Sequence, residues 1–184
     1  MPRSRDPITI RRAAPAEAAA VARFHVEVWR ETYRDIAPAD AYALLDEARR
    51  LPGWQAALEA DRARQDTLLA VSSGAIVGLV HFGPPHHEIF GKMGEIRQLY
   101  VDRRMRGSGL GRRLVGEAFA RIRRAGYAGA GLAVVCENMP ARRFYRALGG
   151  MEIREFQDPG PLWKSANILM AWPPDALVDH GPER

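Results

Sequence analysis

The stretch Arg103-Arg104-Met105-Arg106-Gly107-Ser108-Gly109-Leu110-Gly111-Arg112 joins two patterns of different period. Before it, Glu95 to Val101 has the composition of a β-strand; after it, Leu114, Val115, Ala118, Phe119 and Ile122 fall on one face of a helix that ends near Gly126. Glycines at the junction let the backbone turn tightly and approach a ligand closely. The first N–H groups of the helix have no acceptors within it, so they project outward at the positive end of the helix dipole. With arginines on both sides, the expected occupant is an anion, a phosphate first of all.

The remaining elements follow from period and punctuation. Ile8 to Arg12 alternates as a first strand, and Pro15 opens a helix with Ala18, Val21, Ala22, His25, Val28 and Trp29 along one face. Pro38 opens a second helix with the stripe Ala41, Leu44, Leu45 and Ala48, and Pro52-Gly53 starts a shorter one through Trp54, Ala57 and Leu58. Thr67 to Val71 and Ala75 to Phe82 are β-rich runs around Ser72-Ser73-Gly74, which predicts a hairpin. Later come a strand from Gly131 to Val135, a helix from Pro140 to Leu148, and strands at Met151 to Phe156 and Asn167 to Trp172. Hairpins give antiparallel pairs and strand-helix-strand crossovers give parallel ones. The order therefore predicts an α/β (α+β) fold with a mixed, mostly antiparallel sheet of about seven strands and helices on both faces. Residues 1–172 form one domain in this reading, and 173–184 a loose tail.

One strand has odd parity. In a regular strand Ile96 lies opposite Leu99 and Val101, whereas one extra residue near Arg97 or Gln98 puts all three on the core side. A β-bulge is predicted there.

Composition excludes several classes. With 47% hydrophobic and 27% charged residues over 184 positions, the chain buries about two-thirds of its unfolded surface as a globular unit. No window approaches the roughly 18 to 20 apolar residues of a membrane span, and Met1 to Arg12 has no signal core, so a cytoplasmic protein without membrane partners is expected. A single cysteine, Cys136, cannot form a disulfide framework or a cysteine-ligated zinc site within the chain. The net charge of +5 comes from 25 arginines and only Lys92 and Lys164, a bias that a GC-rich genome also produces. Local clustering at the glycine run says more than the total, and the absence of interleaved aromatics disfavours nucleic acid as a partner.

The phosphate loop is not a Walker A loop, which needs a lysine followed by Ser or Thr. Nor does the spacing Gly107, Gly109, Gly111 match the dinucleotide fingerprint, and the loop lies in mid-chain behind a hairpin. Instead, Arg106-x-x-Gly109-x-Gly111 resembles the Q/R-x-x-G-x-G/A loop of the GNAT superfamily of acetyl-CoA-dependent N-acetyltransferases. Asn138-x-x-Ala141-Arg142-Arg143-Phe144-Tyr145-x-x-Leu148-Gly149 is similar to the second half of the same family. The likeness extends over about Ile8 to Trp172. One departure is Gly150-Met151, where the family usually places Phe after its glycine, a packing position.

The resemblance implies the GNAT fold and acetyl-CoA as cosubstrate, with backbone N–H groups of Arg106, Gly107, Ser108, Gly109, Leu110, Gly111 and Arg112 on the coenzyme A pyrophosphate. Arg104 and Arg112 would be the first side chains to reach its phosphates. Leu99, Tyr100 and Val101 would pair with the pantetheine arm where two strands splay, Leu99 N–H would polarise the thioester carbonyl, and Asn138 would bind the arm. An amine must lose a proton to attack and the departing thiolate gains one, and the resemblance implies Glu95 as the base, directly or through water, and Tyr145 as the acid. Trp29 and Tyr33 are candidates for the acceptor pocket, with core packing as the alternative.

His25 on an apolar stripe is expected to be a core histidine, and adjacent His86 and His87 diverge rather than hold a metal, so no metal is expected. Cys136 is expected to be a small hydrophobe, which favours direct transfer over an acyl-cysteine. The acceptor is a small-molecule or peptide amine, a homodimer is an expectation of the resemblance alone, and a non-catalytic acyl-CoA-binding module of the same fold is the competing function.

Overall fold

The computed structural model describes residues 7–61, 63, 65–160 and 162–177. The chain runs β1 (Thr9–Arg12), a 3-10 turn (Pro15–Glu17), α1 (Ala18–Thr32), α2 (Ala39–Leu44), α3 (Glu47–Glu59), β2 (Asp66–Ser72), β3 (Ala75–Gly83) and β4 (Gly94–Val101). It continues through α4 (Leu110–Arg124), β5 (Ala130–Val135), α5 (Met139–Ala147), β6 (Met151–Gln157) and β7 (Ala166–Trp172). The strands make one seven-stranded sheet in the order β1-β2-β3-β4-β5-β7-β6, antiparallel except for β4 beside β5. This is the mixed, mostly antiparallel architecture expected from the element order.

Both faces of the sheet are covered, as the sequence implied. Leu68 and Leu69 are neighbours on β2, both fully buried, yet they belong to different cores. Leu68 packs with Val80, Ile96, Leu114 and Phe119 under α4, while Leu69 packs with Val21, Val28, Trp54 and Leu79 under α1 and α3. A strand covered on both sides loses the alternation of polar and apolar residues, which accounts for the continuous run Leu68-Leu69-Ala70-Val71. Ser73 and Gly74 both take positive φ (50° and 77°) in the β2–β3 hairpin, the twist that suits a two-residue turn.

The bulge expected near Arg97 or Gln98 is present. Gln98 pairs with His81 and Ile96 with Phe82, so Arg97 is the extra residue. Ile96, Leu99 and Val101 then all pack on the α4 side, while Tyr100 turns to α1. Val77 on β3 and Ile153 on β6 stand unpaired in the same way, and no parity argument had marked them.

Two boundaries differ from the sequence expectation. The helix opened by Pro38 stops at Leu44, which is 48% exposed, and Leu45 is extended and fully buried instead of continuing a stripe. Arg30 closes that break by donating from Nε (3.2 Å) and Nη2 (2.5 Å) to the Leu45 carbonyl. The next helix begins a turn and a half before Pro52, because Asp46 caps it by accepting the Arg49 N–H at 2.7 Å. Pro52 therefore lies inside α3, and burial of Trp54 and Leu58, worth roughly 1.5 to 3 kcal/mol each, offsets the missing hydrogen bond. The tail expectation is corrected at its start: Pro174–Leu177 forms a 3-10 turn whose Leu177 is buried in the core under α4, while 178–184 lie outside the described residues.

The inner face of α1 holds a neutral histidine. His25 Nδ1 accepts the Trp54 indole N–H at 3.1 Å, and Nε2 lies 3.3 Å from the Tyr100 hydroxyl. The indole nitrogen only donates, so Nδ1 carries no proton and Nε2–H faces Tyr100. Burial, with the charge of Arg50 second, pushes the His25 pKa down to about 3. His81 is held neutral in the same way by Arg97, which donates to its Nε2 at 3.2 Å, and its pKa falls to about 4 for reasons of burial first.

Unfolded imidazoles ionise near 6.5, so the stability tied to these neutral rings is fully present above about pH 6.5 and is lost as pH falls below it. The thermal midpoint is expected to drop several degrees between about pH 7 and pH 5, and His25→Gln to make that drop shallower. Equal slopes in native and variant would show that the ring does not carry the dependence.

Candidate functional site

β4 and β5 stay together for two residue pairs, Gly94 with Ala130 and Glu95 with Gly131, and part beyond them. The orientation of the β4 backbone past that fork follows from two hydrogen bonds. Gly94 N–H donates to Gly129 O on the β5 side, and Asp102 N–H donates to Val77 O on the β3 side. Two even-numbered residues point opposite ways only because Arg97 is extra. Counting through it, the N–H and C=O groups of Leu99 and Val101 face the gap, where no strand lies alongside, and those of Tyr100 face β3. An open edge of this kind takes an extended ligand with amide groups.

The glycine run then wraps to the start of α4. Gly107 (φ 75°) and Gly109 (φ 83°) lie in the left-handed region, and a Cβ at either would meet nothing within 4 Å. Their requirement is therefore conformational. Gly111 is a packing glycine, since a Cβ there would sit 3.1 Å from the Phe144 ring of α5. Two of the amides expected to be available are engaged: Arg106 N–H bonds Arg103 O at 3.2 Å and Ser108 N–H bonds Met105 O at 3.3 Å. The amides of Gly107, Gly109, Leu110, Gly111 and Arg112 have no hydrogen-bond acceptor among the described residues.

The arginines divide in the same manner. Arg104 pairs with Asp102 at 2.6 Å, and Arg106 reaches back to the end of α1, 3.4 Å from Thr32 Oγ1 and 3.8 Å from Glu31. Arg112 and Arg113 are exposed at the helix start and make no ion pair among the described residues. Five amides and the arginines of the first helical turn are thus left without partners among the described residues.

Three phenols meet from distant segments. Tyr33 at the end of α1, Tyr100 on β4 and Tyr145 on α5 lie close enough that Tyr33 helps to raise the pKa of the other two. Burial is the larger cause in each, so both phenols stay protonated well above the usual tyrosine value. Tyr145 packs edge-on against Trp172 at 6.0 Å, and its hydroxyl bonds to no described residue although it is not sealed from solvent. Asn138 caps α5, accepting the Ala141 N–H at 3.2 Å, and its amide opposes the rise in the Tyr33 pKa.

Trp29, offered as a pocket residue or a core residue, is buried with Val26 and Leu45. Tyr33 is only half-buried and joins Trp29 (5.1 Å) and Trp163 (5.7 Å) in an aromatic cluster. Trp163, on the β6–β7 connection, carried no sequence signal, because nothing in its local pattern distinguishes a loop tryptophan that returns to α1.

Glu95 stands at the fork itself and is 9% exposed. One carboxylate oxygen accepts the His86 backbone N–H at 2.7 Å, lies 3.3 Å from His86 Nδ1 and 3.9 Å from Arg97 Nε. The His86 side chain is 65% exposed, so this carboxylate has a route to solvent through an imidazole. His87 turns the other way, accepting the Ile89 N–H and stacking near Phe156, and no metal-ligating cluster occurs among the described residues. Burial raises the Cys136 thiol pKa, which disfavours the thiolate and with it a nucleophilic role.

Residues 25–150 match the family model described as the Acetyltransferase (GNAT) family. The uncharacterised N-acetyltransferase YuaI of Bacillus subtilis is 27% identical over 169 residues, covering 90% of this chain and 93% of that protein. Among solved structures, the PaiA N-acetyltransferase of Thermoplasma acidophilum, in complex with coenzyme A, superposes with a TM-score of 0.73 at 17% identity, over 91% of this chain and 99% of that one. YncA of Salmonella typhimurium, solved with acetyl-CoA, gives 0.68 at 21% identity, over 97% and 98% of the two chains. The open strand edge, the amide-rich turn and the matched span together leave one conclusion: the chain belongs to the GNAT family of acetyltransferases.

Proposed function

We propose that this acetyltransferase moves an acetyl group from acetyl-CoA directly to a primary amine, with Glu95 as base and Tyr145 as acid. The observation that carries the proposal is the fork after Glu95 and Gly131, which leaves the Leu99 and Val101 amides facing a gap, with the amide-rich turn following directly along the chain. Coenzyme A and acetyl-CoA are bound by the structural relatives PaiA and YncA. Acetyl-CoA supplies a thioester carbonyl for attack and a thiolate as leaving group.

The chain's own groups answer each demand of that chemistry. The amides of Gly107 and of Gly109 to Arg112 donate to the diphosphate at the positive end of α4. Leu99 and Val101 bind the amides of the arm as a neighbouring strand would, and Leu99 N–H donates to the thioester oxygen as charge develops there. Glu95 takes the proton from the amine, directly or through one water, and the exposed His86 ring passes it outward. As the nitrogen–carbon bond forms and the carbon–sulfur bond breaks, Tyr145 gives its proton to the sulfur, and the second proton lost by the nitrogen restores the phenol. Burial keeps the phenol protonated throughout the neutral range, so the proton is in place before transfer begins.

Three measurements test this. Acetyl-CoA raises the melting temperature of the native chain, and Gly109→Val abolishes the rise; because the site has open space, the substitution acts through backbone strain of roughly 1 to 2 kcal/mol. An unchanged rise in the variant rejects the loop assignment. Tyr145→Phe lowers kcat by about a hundredfold with little change in the KM for acetyl-CoA, measured as thiol release over an amine panel. Glu95→Gln lowers the rate at neutral pH, and the deficit narrows as pH climbs toward the amine pKa of about 10, where the acceptor deprotonates unaided. A deficit independent of pH would remove Glu95 from proton transfer.

A further inference from the structure

A second opening lies on the α1/α3 side of the sheet, in front of the fork. It is a cleft of about 320 Å³. Arg50 and Trp54 of α3 form one wall, His81, Arg97 and Gln98 of the sheet another, and His86 closes one end. Its electrostatics are one-sided. His25 and His81 are held neutral by donor-only neighbours and supply no charge. Glu95, the carboxylate in contact with this lining, already faces His86 and Arg97.

Among the half-buried arginines of the described residues Arg50 is the exception, since Arg30, Arg97, Arg121 and Arg142 each donate to an acceptor. Arg11, Arg12, Arg104, Arg142 and Arg146 are each paired with a carboxylate. The Arg50 guanidinium is half-buried and has neither ion pair nor hydrogen bond among the described residues, and its Nε–H is sealed from solvent without an acceptor. Arg97 Nε–H is sealed and without a hydrogen-bond acceptor too, while the rest of its guanidinium is committed to Gln65, His81 and the Pro84 carbonyl. A desolvated cation without a counter-charge is a costly thing for a fold to keep. Burial lowers the Arg50 pKa, and the nearby charge of Arg49 acts in the same direction.

We infer that the acetyl acceptor is an amine bearing an anionic group, and that this group sits in the cleft against the Arg50 guanidinium while the amine is presented to Glu95. The inference rests on the proposed transfer reaction in taking the occupant to be the acceptor. Arginine donors in this setting match carboxylate or phosphate, and both belong to the proposed class. The Trp54 face and the Ala57 methyl give the connecting carbons an apolar wall. A polyamine is disfavoured, because its second ammonium would face the Arg50 guanidinium, which has no counter-charge among the described residues.

The test separates the cleft from the reaction. In the full-length chain, the indole N–H signal of Trp54, assigned with Trp54→Phe, reports on the cleft without any turnover. Glutarate and inorganic phosphate are titrated separately. A saturable shift with at least one anion, weakened about tenfold or more in Arg50→Leu and partly recovered in Arg50→Lys, is the expected result. No shift at about 50 mM of either anion, or an unchanged affinity in Arg50→Leu, overturns the inference. In parallel, thiol release is compared for β-alanine, O-phosphoethanolamine, n-propylamine and 1,3-diaminopropane.

The expected result is a kcat/KM at least tenfold higher for an anionic member than for the neutral and dicationic ones, with the ratio collapsing toward one in Arg50→Leu. The two anionic members tell carboxylate from phosphate. A preference for the neutral or dicationic amine overturns the inference while leaving acetyl transfer intact. Anion binding with no turnover of any amine supports the cleft and refutes the transfer reaction.

Discussion

The separation of β4 from β5 is the constraint on which the rest of the structure turns. A backbone edge in the middle of a sheet carries donors and acceptors that water satisfies poorly, and proteins normally pair them. Here pairing ends at Glu95 and Gly131, and β5 takes its other neighbour from β7 along its whole length. The bulge at Arg97 sets which groups line the opening. Without the extra residue the parity of β4 would reverse, Leu99 and Val101 would turn their amides to β3, and their side chains would leave the core. One residue thus decides both the packing under α4 and the polarity of the gap.

Arg97 serves two layers at once. Its insertion makes the bulge, and its side chain ties Gln65, His81 and the Pro84 carbonyl together beneath Glu95. Donor-only partners, Trp54 on His25 and Arg97 on His81, fix the tautomers of two buried rings and keep them uncharged. The cationic character of the α3 cleft therefore comes from guanidinium groups alone, which stay charged at any physiological pH. The phenols of Tyr100 and Tyr145 are held in the protonated state by burial.

Much of this was legible in the amino-acid order. The hairpin at Ser72-Ser73-Gly74, the amphipathic α4, the bulge and the conformational role of Gly107 and Gly109 follow from local period, parity and backbone freedom. The α2–α3 boundary did not, because an unbroken apolar spacing from Ala41 to Ala48 hides the point at which Leu45 becomes extended and Arg30 takes its carbonyl. Sequence also could not tell that Gly111 is required by Phe144, or that the Arg106 and Ser108 amides are already bonded. Packing and competition for acceptors are settled between segments, and local pattern is blind to them.

The amino-acid order by itself determined the elements, the glycine turn before α4 and the family likeness, since these depend on steric freedom, side-chain period and residues close together in the chain. Tertiary structure alone decided that Tyr33, Tyr100 and Tyr145 converge, that Glu95 meets His86, and that Arg50 is left without a counter-charge beside Arg97. The physical reason is that burial and charge compensation belong to a position in space. A residue's neighbours across the sheet set its proton affinity and its free valences, and those neighbours lie tens of residues away along the chain.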